Sequence, residues 1–529
     1  MRSFFALTVC SAVVAQPTLD PHRFRGTKPN VIILFVDDYG WADVGHNNPD
    51  VKETVAIDAL ASSGITLKDM HTYPLCTPSR AQLLTGRLPP RTGVTTNFIP
   101  ESLFGLAASE HTIASLLKTA GYDTVMQGKW HMGHAPGYHP TWRGFDQSLT
   151  VPYSVDMGCL GPGGGPIWNL PQETPCATGP NKAPNAGGPS ALALYNSTLQ
   201  CGNASASNCN AQIVQQPLTE NDLDRNYAEY ARRYIQSHAA PGSSPFFMYM
   251  AFSHTHVPLF FDPKFANSSA RKTIFADTTM ELDDTVNQIW QAVKDAGIEN
   301  DTLILMTSDN GPWAVKCDLA GSAGPFTGDY QKKLGGGSTL KDTTWEGGQR
   351  VMGLAHWPGH ISPRVSNATV SSLDYLPTIL ALAGVPLPAD RSFDGVDLAP
   401  LLFGGADKVR DFLFMSDTID HNGNVTSVRY LNYKAYSRTY SQDSCTESSA
   451  PAVDHPDYLI FDLDADPAES TPIRPPQAIL DAIYTAHAAK LNDIKTTMRG
   501  NTSYAAGATM IGSAPCCNAS NAVCRCTPN

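Results

Sequence analysis

The run Val31-Ile32-Ile33-Leu34-Phe35-Val36 is apolar without interruption and ends abruptly on Asp37-Asp38. A segment of this length with no polar face reads as a strand buried on both sides, as in a parallel sheet covered by helices. The two carboxylates then fall at the carboxyl end of the strand, where open α/β sheets bind their ligands. Phe246–Phe252 and Leu303–Thr307 have the same form. Each is followed at once by polar residues, Ser253-His254-Thr255-His256 in one case and Ser308-Asp309-Asn310 in the other. Between such runs the spacing of apolar residues predicts helices over Thr112–Ala120, Asn221–Ser237, Met280–Ala296 and Ser371–Ala383, three of them stopped by a glycine. Alternating strands and helices imply an α/β fold with a large, mainly parallel mixed sheet flanked by helices.

Beyond about residue 405 the pattern changes. Phe412–Met415, Ser427–Tyr436 and Tyr458–Leu463 read as short strands, and a last helix is expected from Pro476 to about Met498. This predicts a smaller C-terminal α+β domain carrying an antiparallel sheet. The expected division is a catalytic domain over 28–404 and the smaller domain over 405–529. Gly158–Gly188, rich in Gly, Pro, Asn and Thr, reads as a long surface excursion.

With 42% hydrophobic and 16% charged residues, a chain of 529 can bury a sizeable core. A net charge of −12 argues against a nucleic-acid partner. Arg2 followed by the short apolar stretch Phe4–Val14 reads as a secretory signal peptide cleaved after Ala15, so residues 1–15 are expected to be removed. No later stretch is long and apolar enough to predict a transmembrane segment. Asn-x-Ser/Thr sequons at Asn196, Asn203, Asn267, Asn300, Asn367, Asn424, Asn501 and Asn518 fit a secreted glycoprotein. The chain has 12 cysteines. With Cys10 in the signal and Cys76 set apart, an even number remains to pair as disulfides in an oxidising compartment, in a connectivity the sequence does not give.

Adjacent carboxylates such as Asp37 and Asp38 repel unless a cation or a proton lies between them. In isolation the pair could be two solvated loop acids, and Asp309-Asn310-Gly311 an ordinary turn. Converging from two strand ends, they offer three carboxylates and an amide oxygen. These are all hard oxygen donors and suit one calcium ion.

The most specific stretch is Cys76-Thr77-Pro78-Ser79-Arg80-Ala81-Gln82-Leu83-Leu84-Thr85-Gly86-Arg87. It resembles the sulfatase signature C-x-P-S-R-x-x-x-L-T-G-R at every fixed position. Gly128-Lys129-Trp130-His131, His256-Val257-Pro258 and the block from Lys341 to Glu346-Gly347-Gly348 are similar to further sulfatase blocks. The stretches His139–Asp146, Val151–Asp156 and Tyr458–Pro467 are similar to the arylsulfatase A and N-acetylgalactosamine-6-sulfatase branch. The resemblance implies a formylglycine-dependent sulfatase of alkaline-phosphatase-like fold that cleaves sulfate monoesters. Cys76 is then converted to formylglycine (3-oxoalanine) by a formylglycine-generating enzyme during maturation. Asp37, Asp38, Asp309, Asn310 and the modified Cys76 hold the calcium ion. Arg80 stabilises the hydrate oxygen, Lys129, Ser154 and Lys341 hold the sulfate, His131 is the base and His256 the acid, with His254 second for that role. The destination implied is the secretory pathway, either extracellular or lysosomal. The Gly335–Lys341 loop lacks the cysteine that branch often carries, so no disulfide between the domains is expected from it.

The chemistry accounts for the modification. A thiol near its ordinary pKa is mostly protonated at neutral or acidic pH. An aldehyde hydrate offers two geminal hydroxyls: one takes the sulfate from the ester, and the other expels it by C–O cleavage, splitting one hard step into two. Two other readings compete. A phosphodiesterase or phosphonate-ester hydrolase of the same superfamily usually uses Thr or Ser and two metals, and an inactive binder of sulfated glycans would have lost the nucleophile or a metal ligand.

Overall fold

The computed structural model describes residues 20–99, 102–135, 137–158, 192–198, 212–215, 218–419 and 423–497. The expected signal peptide, nearly all of the Gly158–Gly188 excursion, three of the sequons and most cysteines lie outside the described residues. Within them, a ten-stranded sheet forms the body. Its centre is parallel: Asn30–Val36 lies between Thr302–Ser308 and Phe246–Ala251, and Asp123–Lys129 and Gln147–Val151 follow on the latter side. Antiparallel pairing begins at Gly353–His356 on one flank and at Leu194–Thr198 on the other, which makes the sheet mixed.

The central strand behaves as its composition requires. Val31, Ile33 and Phe35 enter one hydrophobic cluster, while Ile32, Leu34 and Val36 enter the other across the sheet. Successive side chains point to opposite faces of a strand, so an unbroken apolar run is what a doubly covered strand needs. The helices Leu223–Ser237 and Ile274–Asp295 pack on one face, and Cys76–Thr85 and Tyr375–Ala383 on the other. Ile274–Asp295 begins six residues before the expected Met280, because the Thr273 side chain caps it by accepting from the Ala276 amide at 3.2 Å.

A separate four-stranded antiparallel sheet comprises Phe412–Ser416, Val425–Tyr430, Tyr433–Thr439 and Val453–Asp462, with the helix Gln477–Thr497 against it. The single strand expected over Ser427–Tyr436 is in fact a hairpin. The chain reverses at Leu431, held at φ 53° without a glycine, and Tyr430 pairs with Tyr433.

The two sheets are joined by a buried, charged seam. Glu346 and Lys434, both fully buried, meet at 2.6 Å, and Glu469 accepts from the Glu346 amide and from the Tyr436 hydroxyl. Trp345 fills the space between, against Tyr436 and Phe461. A disulfide between the two units is present after all, from Cys317 to Cys445. Gly335–Lys341 supplies no cysteine for such a link, as its sequence implied; the cysteine that makes it sits on the turn after Asn310.

Burial, reinforced by the neighbouring Glu346, raises Glu469 from 4.5 to about 7. A carboxyl raised in the folded state favours folding fully below its unfolded pKa, and that contribution is lost as pH rises through about 7. We expect thermal unfolding of the seam to come at lower temperature above pH ~7 than at pH ~5, and Glu469→Gln to flatten that part of the slope. Calorimetry across this range checks it; an unchanged slope in the variant contradicts it.

Candidate active site

Three central strand ends meet here, and two of them deliver the carboxylates. The amide of Asp37 donates to His254 O at 2.8 Å, and Thr255 N donates back to Asp37 O at 2.8 Å. The amide of Asp38 donates to Asp309 Oδ1 at 3.1 Å, and Asn310 Nδ2 donates to Asp38 Oδ1 at 2.7 Å. Asp38 takes a left-handed φ of 56°, a conformation that costs a non-glycine residue about 1–2 kcal/mol. These bonds between strand ends hold it there.

Each carboxylate has a cation. Lys129 Nζ lies 2.6 Å from Asp37 Oδ2 and 2.7 Å from Ser154 Oγ. Lys341 Nζ lies 2.5 Å from Asp38 Oδ1, and Arg80 Nη2 lies 2.7 Å from Asp309 Oδ2. All of these residues are buried. Burial raises Asp309, helped by Asp37, whereas at Asp38 the pull of Lys341 and His256 outweighs burial and lowers it. Lys341 stays well above its usual range despite burial, because Asp38 faces it.

Cys76 is the first residue of the helix Cys76–Thr85, not part of a loop. Pro78 is tolerated in the first turn, where backbone N–H groups have no helical acceptor. The helix ends on Gly86 at φ 66°, a left-handed cap. Cys76 is buried and forms no disulfide, and its Sγ lies 3.8 Å from Asp37 Oδ1. Burial pushes the thiol far up. The helix N-terminus carries partial positive charge, which favours an anionic oxygen at that position.

Lys129 and His131 arrive on the Asp123–Lys129 strand and the turn beyond it. Gly128, at φ 98°, must be glycine: a Cβ there would lie 1.6 Å from Ala251 O on the neighbouring strand. His131 Nε2 lies 3.0 Å from Phe98 O. A carbonyl can only accept, so Nε2 carries the proton and Nδ1, which has no hydrogen bond, presents a lone pair. Burial, with Lys129 beside it, keeps His131 well below its usual pKa and therefore neutral.

The two histidines after Phe246–Ala251 separate cleanly. His254 Nε2 lies 2.9 Å from Glu281 Oε2 and 3.5 Å from Asp224 Oδ2, both on helices behind the sheet. Although burial opposes its charge, Asp224 and Glu281 raise His254. His256 instead faces the carboxylates, with Nε2 3.6 Å from Asp38 Oδ2, while Nδ1 lies 2.6 Å from Val257 O. Burial lowers it to about 4 against the pull of Asp38 and Asp156.

Asp37, Asp38, Cys76 and His256 present ligand atoms within 4.8 Å of one another, so a cation could be shared among them. The donor set otherwise fits a hard divalent ion: three carboxylates and the Asn310 Oδ1, a buried acceptor without a hydrogen bond.

A sulfatase model matches residues 29–385, and a model of the C-terminal region of aryl-sulfatase matches 409–526. The chain belongs to the sulfatase family. It is 40% identical over 519 residues to arylsulfatase G of Rattus norvegicus, covering 95% of this chain and 94% of that one. It is 36% identical over 485 residues to arylsulfatase A of Homo sapiens, covering 89% and 86%. The crystal structure of the PsFucS1 sulfatase from Pseudoalteromonas sp. superimposes with a TM-score of 0.74 at 27% identity, over 90% of this chain and 92% of that one. The protein is thus a sulfatase, an enzyme that hydrolyses sulfate esters.

The carboxylates, cations, Cys76, Ser154, His131 and His256 singled out from the sequence all lie in this one crevice of the sulfatase, with His254 behind it. The sequence assigned no role to Asp156, quoted within Val151–Asp156, and did not single out Trp313, Asp224 or Glu281. Asp224 and Glu281 lie inside helices with no motif around them, and only their burial marks them. Trp313 stands three residues after Asn310, and its ring centroid lies 5.3 Å from that of His256.

Proposed function

We propose that the sulfatase acts through formylglycine at position 76, made from Cys76 by a formylglycine-generating enzyme, with one calcium ion held by Asp37, Asp38, Asp309, Asn310 and the modified residue 76. The observation that carries this is the state of Cys76. It is buried at a helix N-terminus among carboxylates, unpaired, with its thiol pushed so far up that the encoded side chain is a poor nucleophile. Formylglycine in hydrated form supplies one hydroxyl to accept the sulfate and a second to expel it. Calcium, when bound, offsets charge on the sulfate oxygens and orients the ester. Sulfate monoesters of the arylsulfatase type are the substrate class.

The chain's own groups divide the work. Lys129, Ser154 and Lys341 hold the sulfate oxygens, and the two ammonium groups compensate negative charge as it is transferred. Arg80, locked against Asp309 and stacked over Phe35 at 5.6 Å, lends fixed positive charge beside residue 76. His131 receives a proton at Nδ1. His256 delivers one from Nε2 to the leaving oxygen. The arriving sulfate brings negative charge, which raises His256 toward the protonated state. His254, held by Glu281 and Asp224, positions the Asp37 backbone instead. We assign the protein to the secretory pathway, as a glycoprotein delivered outside the cell or to the lysosome. The N-terminal apolar segment supports this, as do the exposed sequons Asn267, Asn300, Asn367 and Asn424. Among the described residues no helix is long and apolar enough to cross a membrane.

Elemental analysis is expected to find one calcium per chain, lost in Asp309→Ala together with turnover while secretion persists; full activity in metal-stripped protein contradicts the site. His256→Ala is expected to slow esters of weakly acidic alcohols about 10²–10⁴-fold and activated aryl sulfates far less. Equal losses across a leaving-group series would remove His256 from the acid role.

A further inference from the structure

A cleft of about 550 Å³ lies between the body and the C-terminal sheet, and none of the residues of the active-site crevice lines it. That volume falls within the roughly 300–1,000 Å³ of ligand sites. Asp69, Arg350 and Asn367 line it from the body, and Arg429, Leu431 and Asp464 from the C-terminal unit. Asn367 is exposed there and opens the sequon Asn367-Ala368-Thr369. The exposed sequons at Asn267, Asn300 and Asn424 do not line this cleft. The segment carrying Asn367 is held in place. Ala368 N donates to Ser366 Oγ at 3.1 Å, the Thr369 hydroxyl donates to Asp69 Oδ2 at 2.6 Å, and Val370 N donates to Asp69 O at 3.0 Å. A sugar on Asn367 therefore starts at the wall of the cleft, from a fixed point of the chain.

The cations of the cleft are already paired. Arg350 Nη1 lies 3.1 Å from Asp69 Oδ1 and 3.2 Å from Glu346 Oε2, and Arg429 Nη2 lies 3.6 Å from Asp69 Oδ2. Arg410 pairs with Asp374, and Lys408 with Asp411. An incoming anion would meet those carboxylates, so the cleft suits an uncharged ligand. Asn432 and Asp464 bring a carboxamide and a carboxylate to the far wall, a donor and acceptors for hydroxyl and acetamide groups. Leu431, 46% exposed, adds apolar surface at the lip, which the C–H face of a pyranose would cover. An uncharged ligand with hydroxyls, amides and C–H faces is what an N-linked sugar chain presents.

We propose that an N-glycan on Asn367 folds into this cleft, with its first two N-acetylglucosamine units lying between the two sheets and bridging them. This rests on the assignment of the chain to the secretory pathway. Attachment forms a bond from Asn367 Nδ2 to the anomeric carbon of a diphosphate-activated oligosaccharide; the diphosphate leaves with the bonding pair, and the amide nitrogen loses one proton. The glycan then acts as a fixed part of the joint between the two units.

The test treats the folded, secreted glycoprotein with an amidase that cuts the Asn–sugar bond and follows each sequon by mass spectrometry. The glycan on Asn367 is expected to be released at least about tenfold more slowly than those on Asn267, Asn300 and Asn424, a factor equivalent to about 1.4 kcal/mol. After denaturation all should be released at similar rates. In the double variant Asn432→Ala, Asp464→Ala, which leaves the sequon intact, release from Asn367 should approach that of the other sites. Equal release from all sites in the folded protein would overturn the proposal. So would an unmodified Asn367 beside occupied neighbours, or undiminished protection in the double variant. Failure of the secretory assignment itself would appear differently, as a protein with no sugar at any sequon, and the proposal would fall with it.

Discussion

Three carboxylates, those of Asp37, Asp38 and Asp309, are packed out of water at the ends of two adjacent parallel strands. Buried like charges at this spacing cannot persist without compensation. Arg80, Lys129 and Lys341 provide it, each within 2.7 Å of a carboxylate oxygen. Those cations come from the signature helix, from the Asp123–Lys129 strand and from the loop before Trp345. The electrostatics of one crevice therefore dictates where three separated chain segments must end. The sheet supplies the rigidity: its central strands are close-packed on both faces, so the carboxylates ride on a firmly held base.

The C-terminal sheet bears on the same crevice from outside. Glu346 follows Lys341 by five residues and is fixed by Lys434 and Glu469. The Ser338–Gln442 bridge and the Cys317–Cys445 disulfide clamp the two loops that carry Lys341 and Trp313. The second unit thus acts as a brace for loops that emerge from the first.

The parts written in local chemistry were legible in the sequence. Unbroken apolar runs mark doubly buried strands, and the residues directly after them meet in the candidate site. Glycine stops at Gly121 and Gly384 fell where the helices end. What was not legible depended on distant partners. The opening turns of Ile274–Asp295, with Thr278 and Thr279, have weak helical propensity and are secured by the Thr273 cap and by burial. The turn at Leu431 lacks a glycine to announce it. The disulfide joins cysteines 128 residues apart, and Asp156 acquires meaning only once the fold sets it beside His256.

The proposed catalysis depends on the chemical state of residue 76. Lys68 precedes Asp69 and Arg80 ends the signature core, so trypsin releases Asp69–Arg80 intact. Mass spectrometry of that peptide from active enzyme should find it lighter than encoded by the difference between CH2SH and CHO, and reactive toward a hydrazine. An unmodified thiol, or a disulfide at Cys76, in a fully active preparation would contradict the account.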